Sequence, residues 1–570
     1  MSRTGEGNLM PVSIQELLEE GILRALASLK SSGSIASEAD LPSSVTLERP
    51  KNRDHGDFAT SVALALAKSA GKPPRDIALH IRSALLADGE FSATVSKVEI
   101  AGPGFINLTL AQSSHGGIIQ SILEAGVRFG YGSSLQGEKI NLEFVSANPT
   151  GPLHLGHTRW AAVGDALGRV LAAAGAEVTR EFYVNDRGVQ MDLFGASIRS
   201  AAINQPRPED GYHGEYIQGL ADQIVAKNPE FTELPEQASI EAFRDAGYAL
   251  QLADQQRVLS NMNTHFDIWF SEKSLYEKNF FDHCLATLKS KGHVFELDGA
   301  TWLRTTDFGD DKDRVMIKSD GSFAYFASDS AYYISKRERG FTVLIYMLGA
   351  DHHGYVNRLK ALASCAGDDP TKNIDILIGQ LVKILENGEE LKLSKRAGTI
   401  ITLEELIEKV GVDAARYTLI RYPVDTPMVM DVDVLKSRTN ENPVYYVQYA
   451  HARICAVLRN ATELGIAYGA GHIFPELLEH ERERELIGLL GEFPRVVESA
   501  AELREPHRVA RYLEDLAGVY HSFYADCRVL PLGDEPVSGI HSARATLCKA
   551  TAQVISNSLS LLGVSAPEKM

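Results

Sequence analysis

The sequence lacks several features that mark particular classes of protein. Its five cysteines are scattered, odd in number and without a CxxC pair, which argues against a disulfide framework and against a zinc site. The N-terminal residues contain no apolar signal segment, and no uncharged run approaches the length of a membrane span. Internal repeats and low-complexity tracts are also absent. These absences predict a cytoplasmic protein with no membrane partner.

Positive charge is scarce as well. The chain has 57 Lys and Arg residues against 75 Asp and Glu residues, a net charge of −18. The field of the whole molecule therefore does not attract a polyanion, and any contact with nucleic acid must use local basic patches. A chain of 570 residues also exceeds what one hydrophobic core normally fills. Several domains are therefore expected.

Residues 1–112 have the pattern of a small α+β domain. Helical periodicity in IQELLEEGILRALASL precedes the loop ERPKNRDHGDFAT, a second helical run and the strand-like segment KVEIAGPGFINLTL. The loop places Arg53 in a basic cluster beside Phe58, a combination suited to a nucleic-acid backbone. A solvated loop without a ligand is the alternative interpretation.

Residues 137–410 alternate between strand-like and helical patterns. KINLEFV, EVTREFYV and TVLIYMLGA are predicted strands, and TRWAAVGDALGRVLAAAGA is a predicted helix. The region near residues 198–298 is helical, charged and irregular, and is interpreted as an insertion between two β-α-β halves. RVMIKSDGSFAYF predicts a hairpin that turns at Asp320-Gly321, and IDILIGQLVKIL predicts one further strand. This order predicts a doubly wound parallel sheet with its ligand crevice at the switch point. Residues 411–570 show almost only helical periodicity, which predicts a bundle.

The stretch NLEFVSANPTGPLHLGHT is where chemistry is expected. A strand, a Pro/Gly turn and a helix N-terminus follow one another, and such a junction presents free N–H groups and a positive dipole to phosphate. His154 and His157 open the helix, with Gly156 between them to allow the close approach of a ligand. By itself the HLGH sequence is also compatible with a surface pair or half of a metal site.

A second motif, KLSK, follows much later on a Gly-containing loop. Lys392 and Lys395 flank Ser394, and two lysines can hold a pyrophosphate group as its charge develops during nucleotidyl transfer. An exposed basic loop is the alternative. Its pairing, in order, with HLGH across a split α/β domain favours the phosphate interpretation.

These two motifs resemble the signature sequences of class I aminoacyl-tRNA synthetases. EFVSANPTGPLHLGH, YVNDRG, YFASDSAYY, GADHHGYV, KLSKRAG and DAARY, in this order, resemble the arginyl-tRNA synthetase family over essentially the whole chain. The resemblance implies an α/β fold with a split Rossmann-like catalytic domain, a small N-terminal α+β domain that binds tRNA and a C-terminal α-helical anticodon-binding bundle. It implies an adenylation reaction that uses no nucleophilic side chain. The transition state of this reaction would be stabilised by His154, His157, Lys392 and Lys395. The implied ATP-binding residues are His154, Gly156, His157, Lys392, Ser394 and Lys395.

Charge matching supports arginine as the substrate. A guanidinium offers a planar fork of donors and no acceptor, so its pocket needs a carboxylate and further oxygen acceptors. Tyr325 and Asp329, four residues apart, can share a helical face, although a local turn and a core aromatic would also explain them. The residues that match the family's arginine-binding positions are Glu143, Ser146, Asn148, Tyr325, Asp329 and Asp351. The GADHHG sequence around Asp351 also permits a metal site, an interpretation that the resemblance disfavours.

The C-terminal region resembles the DALR-type anticodon-binding domain. The matching sequence is DAARY, with Ala415 where the family often has leucine, a difference expected to affect packing only. Tyr445, Tyr449 and Arg453 offer stacking faces and positive charge to unstacked bases. Aromatic residues on helices are otherwise usually part of a core.

The sequence as a whole predicts an arginine–tRNA ligase. It would form arginyl-adenylate from L-arginine and ATP and transfer arginine to the 3′ end of tRNA-Arg, and the resemblance implies that activation needs bound tRNA. The expected cofactor is Mg²⁺ in its complex with ATP, without a structural metal, and a monomer is expected. Two alternatives are a cysteinyl-type class I enzyme, disfavoured because no Cys/His cluster is available for its zinc, and a non-catalytic tRNA-binding paralogue.

Overall fold

A computed structural model of the chain describes residues 14–50, 55–277, 280–391 and 401–570. Its N-terminal elements are α1 (Ile14–Ser31), β1 (Phe58–Thr60), α2 (Val62–Ala70), α3 (Pro74–Ala87), α4 (Gly89–Thr94), β2 (Val95–Ala101) and β3 (Phe105–Leu110). β3 lies between β1 and β2 and is antiparallel to both. Apolar residues of α1, α3 and the sheet form a hydrophobic core of their own. The predicted small α+β domain is confirmed.

The central part of the chain alternates between strands and helices. Its elements are α5 (Gln112–Ala125), β4 (Lys139–Glu143), α6 (Leu155–Ala173), β5 (Glu177–Val184), α7 (Val189–Ala202), α8 (Glu215–Lys227), α9 (Glu236–Asn261), β6 (Ile268–Ser271), α10 (Lys273–Glu277), α11 (Phe280–Ser290), β7 (Val294–Leu297), β8 (Ala300–Leu303), β9 (Arg314–Ile317), α12 (Tyr325–Glu338), β10 (Val343–Gly349), α13 (Tyr355–Cys365), β11 (Ile374–Gly379), β12 (Val382–Glu386), β13 (Glu389–Glu390) and α14 (Leu403–Val410).

Five of these strands form one parallel sheet in the order β11-β10-β4-β5-β6. β4 and β10 open the two halves of the sheet and lie side by side at its centre. The strand order therefore reverses between them, which confirms the predicted doubly wound sheet and its switch point.

Helix α6 packs closely on one face of this sheet because it is rich in small residues. A Cβ atom added at Gly164 would lie 2.3 Å from the ring of Phe144, so any larger residue would push the helix away. The helix ends at Ala173, and Gly175 follows with a φ of +100°, a conformation that favours glycine after a helix.

The region near residues 198–298 is only partly helical. α7, α8 and α9 pack on one another around a core that includes Phe194 and Phe243. The same region also supplies β6, the edge strand of the central sheet, and β7, the first strand of the small antiparallel sheet β7-β8-β9. β6 was not predicted because four residues carry too little periodicity to identify a strand.

Two predictions for strands need correction. The turn at Asp320-Gly321 exists, but only Phe323 pairs with Ile317 and the chain then enters α12 instead of a second hairpin strand. IDILIGQLVKIL contains two strands. β11 lies in the central sheet and ends at Gly379. β12 begins at Val382 and pairs with β13 and β14 in a separate sheet.

The C-terminal part is mainly helical, as predicted. Its elements are α15 (Val412–Ile420), β14 (Met428–Asp431), α16 (Val432–Lys436), α17 (Pro443–Glu463), α18 (Glu481–Gly491), α19 (Phe493–Glu502), α20 (His507–Asp526) and α21 (Gly539–Leu561). The strand β14, which the sequence did not predict, pairs in parallel with β12. No helix among the described residues is long and apolar enough to cross a membrane.

A buried ion pair joins this bundle to the central sheet domain. Arg416 of the DAARY sequence is fully buried and places Nη2 2.6 Å from Oδ2 of Asp165 on α6. It also donates to the carbonyl oxygens of Met262 and Leu562. Ala415 is fully buried as well, which agrees with a packing role at that position.

Candidate active site at the carboxyl edge of the parallel sheet

The HLGH motif forms the N-terminal cap of α6. His154 precedes the helix and its Nδ1 accepts the N–H of Gly156 at 3.1 Å, while Nδ1 of His157 lies 3.3 Å from the N–H of His154. The two imidazole rings are in contact, with centroids 4.0 Å apart and planes tilted by 36°. A Cβ atom at Gly156 would lie 2.9 Å from the His154 ring, so glycine is needed for this arrangement. Both imidazoles therefore lie at the positive end of α6, where an anion is favoured.

The chain between β4 and this cap is strained and tightly held. Val145 and Ser146 have φ values of 69° and 43°, a left-handed conformation that costs energy for residues other than glycine. The Ser146 hydroxyl donates to Oε1 of Glu143 at 3.1 Å and accepts the N–H of Tyr183 at 3.2 Å. These bonds hold Ser146 beside Glu143, where the substrate's ammonium group is expected.

Helices α7, α8 and α9 form hydrogen bonds with the turn that follows Ser146. Asn148 donates through Nδ2 to Gln190 on α7 at 2.9 Å. Gln255 on α9 donates to the carbonyl oxygens of Asn148 and Gly151, and Tyr216 on α8 donates to that of Thr150. The region between β5 and β6 thus supports the turn that carries the first motif.

Glu143 is buried beside a lysine that the sequence analysis did not single out. Nζ of Lys336 on α12 lies 2.5 Å from Oε2 of Glu143. Lys336 has no exposed surface and packs against the rings of Tyr332 and Tyr346 at 4.2 and 4.0 Å. The sequence offered no signal for this contact, because a lysine near the end of a helix usually faces solvent.

Asp329 lies on α12 and is the most perturbed acid of the site. Burial raises its pKa to about 7, although a hydrogen bond from the Tyr355 hydroxyl at 3.2 Å acts in the opposite direction. Tyr325 begins the same helix four residues earlier and is 92% exposed. Asp329 is partly buried, and a carboxylate in such a position matches the acceptor that a guanidinium requires.

A second acid, Glu272, accompanies Asp329 and was missed by the sequence analysis. It follows β6, and burial raises its pKa while Tyr183 and Arg187 lower it. Nearby, Asp186 accepts bonds from Ser271 and from the N–H of Lys273, so it caps the short helix α10. The sequence alone did not identify Glu272 as a site residue, because its position depends on β6 being a strand of the central sheet.

Asp351 lies in a turn at the end of β10. Its side chain is 82% exposed, and His352 places Nε2 3.6 Å from its carboxylate. Among the described residues, no group of three or more His, Cys, Asp and Glu side chains is arranged to hold a metal ion.

The residues Lys392, Ser394 and Lys395 lie outside the described residues, but both ends of their segment are placed. The N–H of Leu391 donates to Ile384 on β12 at 2.9 Å. On the other side, Thr402 pairs with His154 in an isolated antiparallel bridge. The chain that follows the second motif is therefore attached to the first.

The predicted anticodon surface lies on α17. Tyr445 and Tyr449 stack with ring centroids 6.0 Å apart and planes 9° apart. The Arg453 guanidinium lies 5.7 Å from the ring of Tyr449 and 4.4 Å from that of Tyr524. Tyr449 is 37% exposed, so part of this aromatic and cationic surface is open to a base. Arg53, predicted for the N-terminal domain, lies outside the described residues.

A split parallel sheet with HLGH at its switch point and a helical C-terminal domain defines a class I aminoacyl-tRNA synthetase. Sequence models of three domains match the chain in order: the arginyl-tRNA synthetase N-terminal domain at residues 16–110, the catalytic domain of class I (R) tRNA synthetases at residues 118–451 and the DALR anticodon-binding domain at residues 447–570. The chain belongs to the arginyl-tRNA synthetase family.

Individual relatives agree with this assignment. The chain is 52% identical over 556 residues to the arginine–tRNA ligase of Paenarthrobacter aurescens (strain TC1), which covers 97% of this chain and 100% of that one. Its fold is similar to the arginyl-tRNA synthetases of Thermus thermophilus (TM-score 0.74, 23% identity, 98% of this chain and 100% of that one) and Plasmodium falciparum (TM-score 0.74, 16% identity, 98% and 99%). The predicted family, fold class and ATP-dependent arginine–tRNA ligase activity are confirmed.

Proposed function

We propose that the chain forms arginyl-adenylate at the carboxyl edge of its parallel sheet and then transfers arginine to the 3′ end of tRNA-Arg. The observation that carries the proposal is the packing of α12, which bears Asp329, on β4, which bears Glu143, through the contact between Lys336 and Glu143. Glu143, Ser146 and Asn148 would hold the α-ammonium, and Asp329 with Glu272 would receive the guanidinium. Tyr325 and Asp351, which are both exposed, would contact the substrate at the solvent-facing edge of the pocket.

In the reaction, the arginine carboxylate attacks the α-phosphorus of ATP and pyrophosphate leaves. His154, Gly156 and His157 would bind phosphate at the N-terminus of α6, and Lys392, Ser394 and Lys395 would stabilise the departing pyrophosphate. No side chain forms a covalent bond to the substrate, so the rate enhancement comes from positioning and electrostatics. The attachment of Thr402 to His154 supports a joint action of the two motifs.

Magnesium is proposed to arrive with the nucleotide. Since no cluster of metal ligands occurs among the described residues, phosphate oxygens and water would supply most of its ligands. We assign no step of the reaction to the ion.

The tRNA would be read by the stack of Tyr445 and Tyr449 with Arg453, and by the N-terminal domain through Arg53. We also propose that the protein acts as a cytoplasmic monomer and that arginine activation requires bound tRNA. The domain limits 1–112, 137–410 and 411–570 belong to the same proposal.

Pyrophosphate exchange tests this function directly. We expect exchange with arginine alone among the standard amino acids, and only when the cognate tRNA is present. Exchange with cysteine would favour the cysteinyl-type alternative. Measurable tRNA affinity without exchange for any amino acid would favour the non-catalytic paralogue.

A further inference from the structure

One face of α12 carries a stripe of functional side chains. Its members are separated by alternating steps of four and three residues, so they lie in line along the helix and its C-terminal end. The stripe consists of Tyr325, Asp329, Tyr332, Lys336 and Arg339. The first two members belong to the proposed guanidinium pocket, whereas the last two contact the sheet.

The sheet beneath the stripe carries two carboxylates on adjacent strands. Glu143 of β4 and Glu181 of β5 are register partners, and both are buried. Like charges placed directly opposite each other destabilise a sheet, so each needs a cation. Nζ of Lys336 lies 2.5 Å from Oε2 of Glu143. Arg339 donates to the Glu181 carboxylate through Nη1 at 2.5 Å and Nη2 at 3.0 Å.

These two contacts fix α12 along the direction of the strands. The Lys336 ammonium is enclosed between the rings of Tyr332 and Tyr346, and the Tyr332 hydroxyl donates to Glu181 at 2.6 Å. A slide of the helix would break both pairs and leave buried charges uncompensated, which is costly. The position of Asp329 relative to Glu143 is therefore set by this pair of cations.

We propose that the pairs Lys336–Glu143 and Arg339–Glu181 form a length gauge that selects the length of the guanidino amino acid. Asp329 and Lys336 are seven residues apart, or about 10 Å of helix at ~1.5 Å per residue. The gauge rests on the proposed function, in which Glu143 holds the ammonium and Asp329 the guanidinium. Lys336 and Arg339 act as positioning residues, because they act on the substrate through these two acids.

Substrates that differ by one methylene test the gauge. The kcat/KM of aminoacylation would be measured with L-arginine, with L-homoarginine and with L-2-amino-4-guanidinobutyrate, for the wild type, Lys336→Met and Arg339→Met. One methylene typically changes kcat/KM by roughly 10–200-fold in a fitted pocket. We expect both variants to lose most of that preference for arginine while KM for ATP stays unchanged.

Arg421→Met is the matched control. Arg421 binds Glu514 through Nε at 2.6 Å and Nη2 at 2.9 Å, a bidentate ion pair like that of Arg339, but this pair joins the end of α15 to α20 within the C-terminal bundle. We expect this variant to keep the wild-type preference among the three substrates. Arg339 is partly exposed, so its variant keeps the test decisive if Lys336→Met does not fold.

The outcomes separate the gauge from the proposed function. If Lys336→Met and Arg339→Met reduce kcat/KM by the same factor for all three substrates, the ion pairs are merely structural and the gauge is overturned, while the arginine site stands. If Asp329→Asn leaves KM for arginine unchanged, the arginine site itself is overturned, and the gauge with it.

Discussion

Thr402 and His154 are backbone partners, although they belong to opposite ends of the catalytic domain. Next to this bridge, the N–H of Leu403 donates to the carbonyl of Leu153 at 2.9 Å. The Thr402 side chain caps α14 by accepting the N–H of Glu405 at 3.1 Å, and the Glu405 carboxylate accepts the N–H of Thr402 at 2.7 Å. The start of α14 and the start of α6 are thereby held together.

Thr402→Ala is expected to weaken this attachment. Loss of a capping hydroxyl costs about 1 kcal/mol of helix stability. The expected result is a lower kcat for pyrophosphate exchange with little change in KM for arginine, because the arginine pocket lies on α12 and β4. Thr402→Ser keeps the hydroxyl and should retain the wild-type kcat. Equal losses in both variants would show that the cap is not the cause.

Arginine binding is expected to depend on pH near neutrality. The Asp329 carboxyl has a pKa of about 7, since burial disfavours its charged form. Only the carboxylate attracts a guanidinium, so the Kd for arginine should rise as the pH falls below about 7 and level off above it. Calorimetric titration of the protein with arginine across this range measures the effect. A flat profile would rule out Asp329 as the guanidinium ligand.

The same carboxyl should reduce stability at high pH. Its folded-state pKa lies above the unfolded value of about 3.9, so folding favours the protonated form and stability falls as pH rises between about 4 and 7. Asp329→Asn is therefore expected to raise Tm most above pH 7 and to show no gain near pH 4. Thermal unfolding of the substrate-free protein across this range is the measurement. A Tm below that of the wild type at every pH would contradict the assigned burial.

Tyr449→Ala should weaken tRNA binding without affecting arginine. A base stacked on an aromatic ring is worth about 1–3 kcal/mol. Tyr131→Ala is a closely matched control, because Tyr131 is also 37% exposed and also has an arginine, Arg128, 5.7 Å from its ring. Filter binding of tRNA-Arg compares the two variants. Equal losses in both would show that general surface disruption, and not base stacking, is responsible.

Some of the site followed from sequence spacing alone. Tyr325 and Asp329 were predicted to share a helical face, and both lie on α12. Thr402 and Glu405 form the capping box that their spacing predicts. Such local relationships depend on neighbours in the chain, which periodicity and capping rules describe directly.

Other features depend on residues that are distant in the sequence. Lys336 resembles a solvent-facing lysine in its own helix, and its burial becomes apparent only when Glu143 and Tyr346 are placed beside it. β14 and β6 are four residues long and are stabilised by pairing with distant strands. No local pattern distinguishes such residues from a solvated surface or a loop.

The position of β4 beside β10 has a consequence for synthesis of the chain. The N–H of Lys139 at the start of β4 bonds to the Thr342 side chain 203 residues later. At about 5–20 residues per second, ribosomes need roughly 10–40 s to add that length. During this interval one edge of β4 has no partner strand, and an unpaired apolar edge is prone to aggregate. The nascent chain is therefore expected to be most dependent on chaperones before β10 leaves the ribosomal exit tunnel.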